Sequence, residues 1–210
     1  MKDLTKKQKI TVICLLIVVS GIIGWLYEFI FYYANSGFKT FYYRGGNFLP
    51  WINIYMFGSF IILGTTYKFR KHPILVFLIS LIGTGIFELL SGYILYGVLG
   101  WTKCWDYNQE ILSWGNIGGY VCLRSVLIFA IAGVALVYFI EPTLIKLVKK
   151  YPKLYYISIV LASIFLLDEI YNLILHRIFN LPDSIDIYKK IGFKYLFYKY
   201  NFKKITIFLF

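Results

Sequence analysis

Charge is what this sequence lacks most. Only 15% of its 210 residues are Asp, Glu, Lys or Arg, and ten of them are acidic. A soluble domain of this length needs a far more polar surface. Histidine is nearly absent, with two residues. The three cysteines, Cys14, Cys104 and Cys122, form no C-x-x-C pair and no Cys/His cluster. That spacing argues against a zinc site, and no set of ligands for another metal or a cofactor is visible. No internal repeat stands out either.

What the chain has instead is apolar length. Hydrophobic residues make up 60% of it, and the mean hydropathy is +0.69. Several runs reach the roughly 20 residues that a helix needs to cross a bilayer. The sequence therefore reads as an all-α, polytopic transmembrane helix bundle with about five spans, at 10–33, 52–67, 73–99, 120–140 and 154–175. These form one transmembrane domain over 1–175, and 176–210 is a basic, aromatic tail, interfacial or disordered. The first run follows Lys2, Lys6, Lys7 and Lys9. Its apolar core is too long for a signal peptide and no A-x-A site follows, so it reads as an uncleaved first helix.

The net charge is +12. The basic residues sit in short clusters between apolar runs, at Lys68, Arg70, Lys71 and His72 and again at Lys146, Lys149, Lys150 and Lys153. No nucleic-acid recognition motif accompanies them, so the expected partner is the lipid bilayer and not nucleic acid. The positive-inside rule puts the N-terminus and both basic loops in the cytoplasm of a multi-pass plasma-membrane protein. Five spans then carry the basic tail outside, against that rule, unless the fifth run is re-entrant. The sequence leaves both open.

A few polar groups interrupt the apolar runs. At 1.5 Å per residue, Glu28 lies about 27 Å, Glu88 about 22 Å, Asp168 about 21 Å and Arg124 about 24 Å above the inner boundary of a core roughly 30 Å thick. The turn-rich connectors holding Arg44, Trp105, Asp106 and Asn116 close over the same side. Together Glu28, Arg44, Glu88, Trp105, Asp106, Asn116 and Arg124 define a candidate polar pocket near the outer face. A charge in hydrocarbon is costly unless it faces the bundle interior and finds a partner. The pocket is then a substrate or ion site, or else Glu28 or Glu88 pairs with Arg44 or Arg124 and holds helices in register. Asp168 and Glu169 approach a helix end that water reaches. Thr84, Gly85, Glu88, Ser91 and Gly92 share one face, the stripe of small and polar residues that a packed transmembrane interface carries. Trp101, Trp105, Tyr107 and Trp114 read most simply as an interfacial aromatic belt. Cys104 and Cys122 fall on the same outer side, where a disulfide can form.

Five segments taken in order resemble a family. They are G-W-L-Y-E (Gly24 to Glu28), the R-G turn at Arg44-Gly45, F-E-L-L-S-G (Phe87 to Gly92), W-D-Y (Trp105 to Tyr107) and N-I-G-G-Y-V-C-L-R (Asn116 to Arg124). The set is similar to small bacterial membrane proteins described as type IV ABC-transporter permeases. The likeness covers roughly residues 20–142. It departs in the first connector, where the family has N-R-G, then G-P and P-I-Y-G-F-G; here Tyr43-Arg44-Gly45 and Asn53 to Gly58 stand instead. The resemblance implies the membrane subunit of a transporter. No P-loop is present, so a separate ATPase subunit must supply hydrolysis, docking on the loops at Lys68 or Lys146. No E-A-A-x-x-x-G coupling loop is visible. Five short spans are few for a pathway, so a homo- or hetero-oligomer is expected. Two other functions compete with this reading. One is an assembly or regulatory membrane subunit. The other is a small membrane-embedded enzyme acting on lipid or envelope precursors, with Glu28, Glu88 and Asp106 as acid and base and Arg44 and Arg124 holding a phosphate. Against the enzyme, the polar layer holds no His, no nucleophile motif and no metal set, so no residue is assigned as catalytic.

Overall fold

The computed structural model describes residues 3–39, 45–100 and 105–193. Four helices are long and apolar enough to cross a membrane: α1 (Lys6–Asn35), α3 (Pro73–Val98), α4 (Leu123–Lys150) and α5 (Leu154–Phe179). Two are shorter, α2 (Asn53–Thr66) and α6 (Ser184–Tyr188). Among the described residues no strand forms, only one antiparallel bridge between Ile117 and Val121. The chain is a multi-pass, all-α membrane protein. The second apolar run gives a helix of only 14 residues, about 21 Å long and short for a full crossing.

Local chemistry sets the helix ends. Thr5 and Gln8 form a capping box at α1, with Gln8 N–H donating to Thr5 Oγ1 (3.3 Å) and Thr5 N–H to Gln8 Oε1 (3.0 Å), so two orphan donors are satisfied at once. Pro73 opens α3 at its first position, where its missing N–H costs nothing. Asp183 caps α6 by accepting from Asp186 N–H (2.7 Å). Asn180, left-handed at φ 50°, ends α5, a conformation that Asn tolerates. Three long helices contain a π-helical stretch, at Tyr93–Val98, Leu136–Ile140 and Ile170–Leu175. The middle one lets α4 run on past Pro142 to Lys150. Proline has no N–H and crowds the carbonyl four residues back; a widened turn immediately before it relieves both problems.

Contacts divide the chain into two compact units, with boundaries at Met56/Phe57 and Pro142/Thr143. In the first unit α1 packs on α5. A Cβ on Gly21 would stand 2.5 Å from Phe165 Cε2 and 3.0 Å from Trp51 Cβ. The Trp51 and Phe165 rings meet at 4.9 Å, and Phe165 is wholly buried. Only a residue without a side chain lets the two helices approach this closely. Lys7 Nζ lies 5.7 Å from the Tyr155 ring at one end of the pair. At the other, the backbone at 48–52 bonds to both Gly21 and Asp168. So α1 and α5 run the same way. The fifth run is a continuous helix, and the residues from Asn180 to Tyr188 lie at the end of this unit remote from Lys7.

In the second unit α3 and α4 run antiparallel and form the most extensive helix pair. A Cβ on Gly133 would stand 2.8 Å from Ser80 Cβ, one on Gly85 3.0 Å from Val126 Cγ1, and one on Gly92 2.9 Å from Tyr120 Cβ. Gly58 of α2 takes the Phe129 ring of α4 in the same way, at 2.9 Å. Near Pro142, Arg70 pairs with Glu141 at 2.7 Å, and Glu141 is wholly buried. Tyr138 donates its hydroxyl to the Arg70 carbonyl (2.8 Å).

Candidate functional site

Ser80, Thr84, Glu88 and Gly92 recur every four residues along α3, so they lie on one face. All four are buried. Thr84 hides its hydroxyl on the Ser80 carbonyl (2.7 Å). Glu88 has no such local partner. At 2% exposure it faces inward as the one charged residue of α3.

Two hydroxyls meet it. Tyr107, from the connector, donates to Glu88 Oε1. Ser125, from the first turn of α4, lies 2.6 Å from Glu88 Oε2 and 2.8 Å from the Cys122 carbonyl, and its single proton serves one of them at a time. Tyr107 is itself buried. Burial first, and then the neighbouring Glu88 carboxyl, hold its hydroxyl well above the ordinary tyrosine range, so it remains a donor across physiological pH. Arg124 stands beside this pair without joining it. Its guanidinium bonds to Glu110 Oε2 (2.7 Å) and the Ile111 carbonyl (3.0 Å) and lies 5.5 Å from the centre of the Tyr107 ring. Arg124, Glu110, Tyr107 and Glu88 thus form one buried chain of polar contacts within the second unit.

The connector is shaped to deliver Tyr107 and Glu110. Trp105 donates Nε1–H to the Tyr120 carbonyl (2.7 Å), and Tyr107 N–H reaches the Gly119 carbonyl (3.0 Å). Asp106 accepts from Asn108 N–H (3.1 Å) and from Gln109 Nε2–H (3.4 Å). Asn116 donates to Asn108 Oδ1 (2.8 Å) and accepts from Gly119 N–H (2.8 Å). Gly119 has φ 81°, and any Cβ there would run into Asp106 and Asn108. Trp105, Asp106 and Asn116 therefore fold the loop, while Tyr107 and Glu110 reach the helices.

A second polar cluster lies in the first unit. Asp168 accepts from Phe48 N–H (2.9 Å), Leu49 N–H (3.1 Å), Trp51 Nε1–H (2.8 Å) and Asn172 Nδ2–H (2.7 Å). Glu169 accepts from Asn47 and Asn53 side-chain amides, both at 2.7 Å. These donors are uncharged. Glu28 belongs to this unit too and accepts from Tyr55 O–H (3.1 Å).

Of the expected pocket residues, Glu88 and Arg124 come together through Tyr107, with Trp105, Asp106 and Asn116 in the adjoining loop. Glu28 lies in the other unit. Arg44 lies outside the described residues, as do Trp101 and Cys104, and with Cys104 the question of its pairing with Cys122. Arg124 takes Glu110 as its partner and not Glu88. Sequence reasoning passed over Glu110 and Ser125 and treated Tyr107 only as part of a belt. One signal pointed to Glu110: it is one of two acids in the connector before α4, and a buried Arg124 needs a counter-charge. Asp168 and Glu169, placed near a wet helix end, are instead 7% and 8% exposed. Among the described residues no three His, Cys, Asp or Glu side chains gather to hold a metal.

The family described as "Putative ABC-transporter type IV" matches residues 15–173, about three-quarters of the chain. No curated protein and no solved structure matches it.

Proposed function

The chain belongs to that type IV ABC-transporter family, and from this premise we propose that it is the permease, the membrane subunit, of a transporter. In this reading it sits in the plasma membrane with its N-terminus cytoplasmic. The ATPase is a separate chain that docks on the basic loops at Lys68 or Lys146. The buried polar chain at Glu88 belongs to the route the substrate takes from the outer side. One observation carries most weight. Glu88 is a nearly inaccessible carboxyl within a transmembrane helix, met by neutral hydroxyls and not by the cation beside it. An acid kept for packing alone would be expected to take Arg124 as its partner, since intramembrane charges that serve structure are paired. Substitution Glu88→Gln preserves shape and tests this directly. Transport in reconstituted vesicles should be lost while the variant stays monodisperse and folded. Wild-type transport by the variant removes Glu88 from the mechanism. Purification in mild detergent should also recover a nucleotide-binding subunit, and a clean homo-oligomer counts against the permease reading.

A second reading is an assembly or regulatory subunit. The observation favouring it is that each carboxylate oxygen of Glu88 already meets a hydroxyl from its own chain. It predicts that Glu88→Leu with Ser125→Ala and Tyr107→Phe leaves complex assembly intact. The enzyme reading gains no support from any of these contacts.

A further inference from the structure

The first connector poses a backbone-accounting problem. Gly46 to Ile52 is irregular, yet Asn47, Trp51 and Ile52 are buried at 3%, 4% and 8% exposure. Its depth can be read from the two helices beside it. Ile52 N–H bonds to the Gly21 carbonyl (3.1 Å). Gly21 lies nine residues, about 14 Å, before Ile30 on α1. Asp168, which holds Phe48 and Leu49, lies eleven residues, about 17 Å, before Phe179 on α5. Ile30, Ile178 and Phe179 are 62%, 61% and 65% exposed, as lipid-facing side chains are. The irregular segment is therefore well below the apolar ends of both helices.

Irregular backbone at such a depth survives only where its polar groups are satisfied by protein or face a water-filled cavity. Here the bonds to protein are numerous. Phe48 and Leu49 N–H go to Asp168, and Trp51 N–H goes to the Leu49 carbonyl (2.8 Å). The Trp51 carbonyl takes Asn47 Nδ2–H (2.9 Å), and the Gly46 carbonyl takes the Ser184 hydroxyl (2.6 Å). The Phe48 carbonyl takes the Tyr188 hydroxyl. Water bonds a surface loop without such help. A loop that draws so many of its bonds from its own chain leaves few groups for water to meet.

We propose that Gly46–Ile52 is a re-entrant segment that dips into the outer half of the membrane, and that Asp168 is the positioning residue that pins it there. Of its partners, only Asp168 reaches two successive amides and the Trp51 indole together. Loss of Asp168 leaves those three donors without an acceptor at a depth where water is scarce. The segment then moves toward water.

The test uses the full chain in proteoliposomes, with the native cysteines replaced by alanine and one spin label at Leu49→Cys. Labels at Asn35→Cys, on the end of α1, and at Ile13→Cys, on its lipid-facing side, serve as references. Oxygen, which concentrates in lipid, should relax the Leu49 label as it does the Ile13 label, and a water-soluble nickel chelate should scarcely reach it. Nickel access at Leu49 equal to that at Asn35 overturns the re-entrant placement. Adding Asp168→Asn should raise nickel access at Leu49 several-fold and leave Ile13 unchanged. No rise in a folded variant overturns the pinning role. If that variant does not fold, Trp51→Phe removes one of the bonds to Asp168 and should give a smaller rise in the same direction; its absence overturns the role equally.

Discussion

Arg124 gives its charge to Glu110, fourteen residues back in the connector, and lies 5.5 Å from the ring centre of Tyr107, whose hydroxyl donates to Glu88. Base and acid are neighbours in space but not a pair. The cation is neutralised by the loop, and the acid is held by hydroxyls.

This division predicts an asymmetry in stability. Arg124→Ala strands the buried Glu110, and breaking a buried pair from one side costs about 3–5 kcal/mol. The double variant Arg124→Met, Glu110→Leu leaves no charge stranded and should recover most of that loss. Thermal unfolding in detergent reads both. Equal losses in single and double variants would mean that the pair contributes through shape alone.

Tyr107→Phe removes one of the two hydroxyls at Glu88 and should cost about 1–3 kcal/mol, the usual penalty for a buried acceptor left unmet. Its effect on pH dependence follows from the raised hydroxyl. The folded chain holds this proton to a higher pH than the unfolded chain, where tyrosine titrates near 10. The contribution is therefore complete below about pH 10 and is lost as pH climbs from there toward the folded value. The unfolding midpoint of the native chain should fall more steeply above pH 10 than that of the Phe variant. Parallel curves would show that Tyr107 is accessible to water.

Gly21→Ala should separate α1 from α5. Its new methyl would stand 2.5 Å from the Phe165 ring, and forcing such a contact in a packed interior costs about 1–3 kcal/mol. Phe165→Leu in the same chain should restore part of the loss. An alanine variant as stable as the native chain would mean that the ring moves aside freely.

Arg70 and Lys71 are neighbours with unequal roles. Arg70 alone pairs with the fully buried Glu141. Arg70→Ala should cost about 3 kcal/mol, near the low end for a broken buried pair because the arginine is partly exposed. Lys71→Ala should change the midpoint very little. Equal effects would identify a general loss of positive charge at the loop.

The sequence shows some levels of this structure plainly. The four long helices follow from apolar length. The stripe through Thr84 and Glu88 was legible because four-residue spacing fixes a face whatever lies opposite. Partners across loops were not legible. Nothing in the order of residues says that Arg124 turns back to Glu110, or that Asp168 collects amides from Phe48 and Leu49, more than a hundred positions away. Such contacts depend on the path of irregular chain, which periodicity does not describe. The Glu141-Pro142 pair marked the end of an apolar run, yet the helix continues through it, because the π-helical turn before it was invisible in composition.

Those wider turns have a consequence for how the chain tolerates changes in length. A π turn holds about one residue more than an α turn. The flanking helical pieces then face as they would if that residue were missing. Shortening the chain by one residue within Leu136–Ile140 should tighten the coil there and leave Phe129 and Glu141 facing the same neighbours. The same deletion between Leu123 and Ala135, where no slack exists, would swing every later side chain about 100° around the axis. Tyr93–Val98, Leu136–Ile140 and Ile170–Leu175 are thus places where these helices have room to lose a residue and keep their faces.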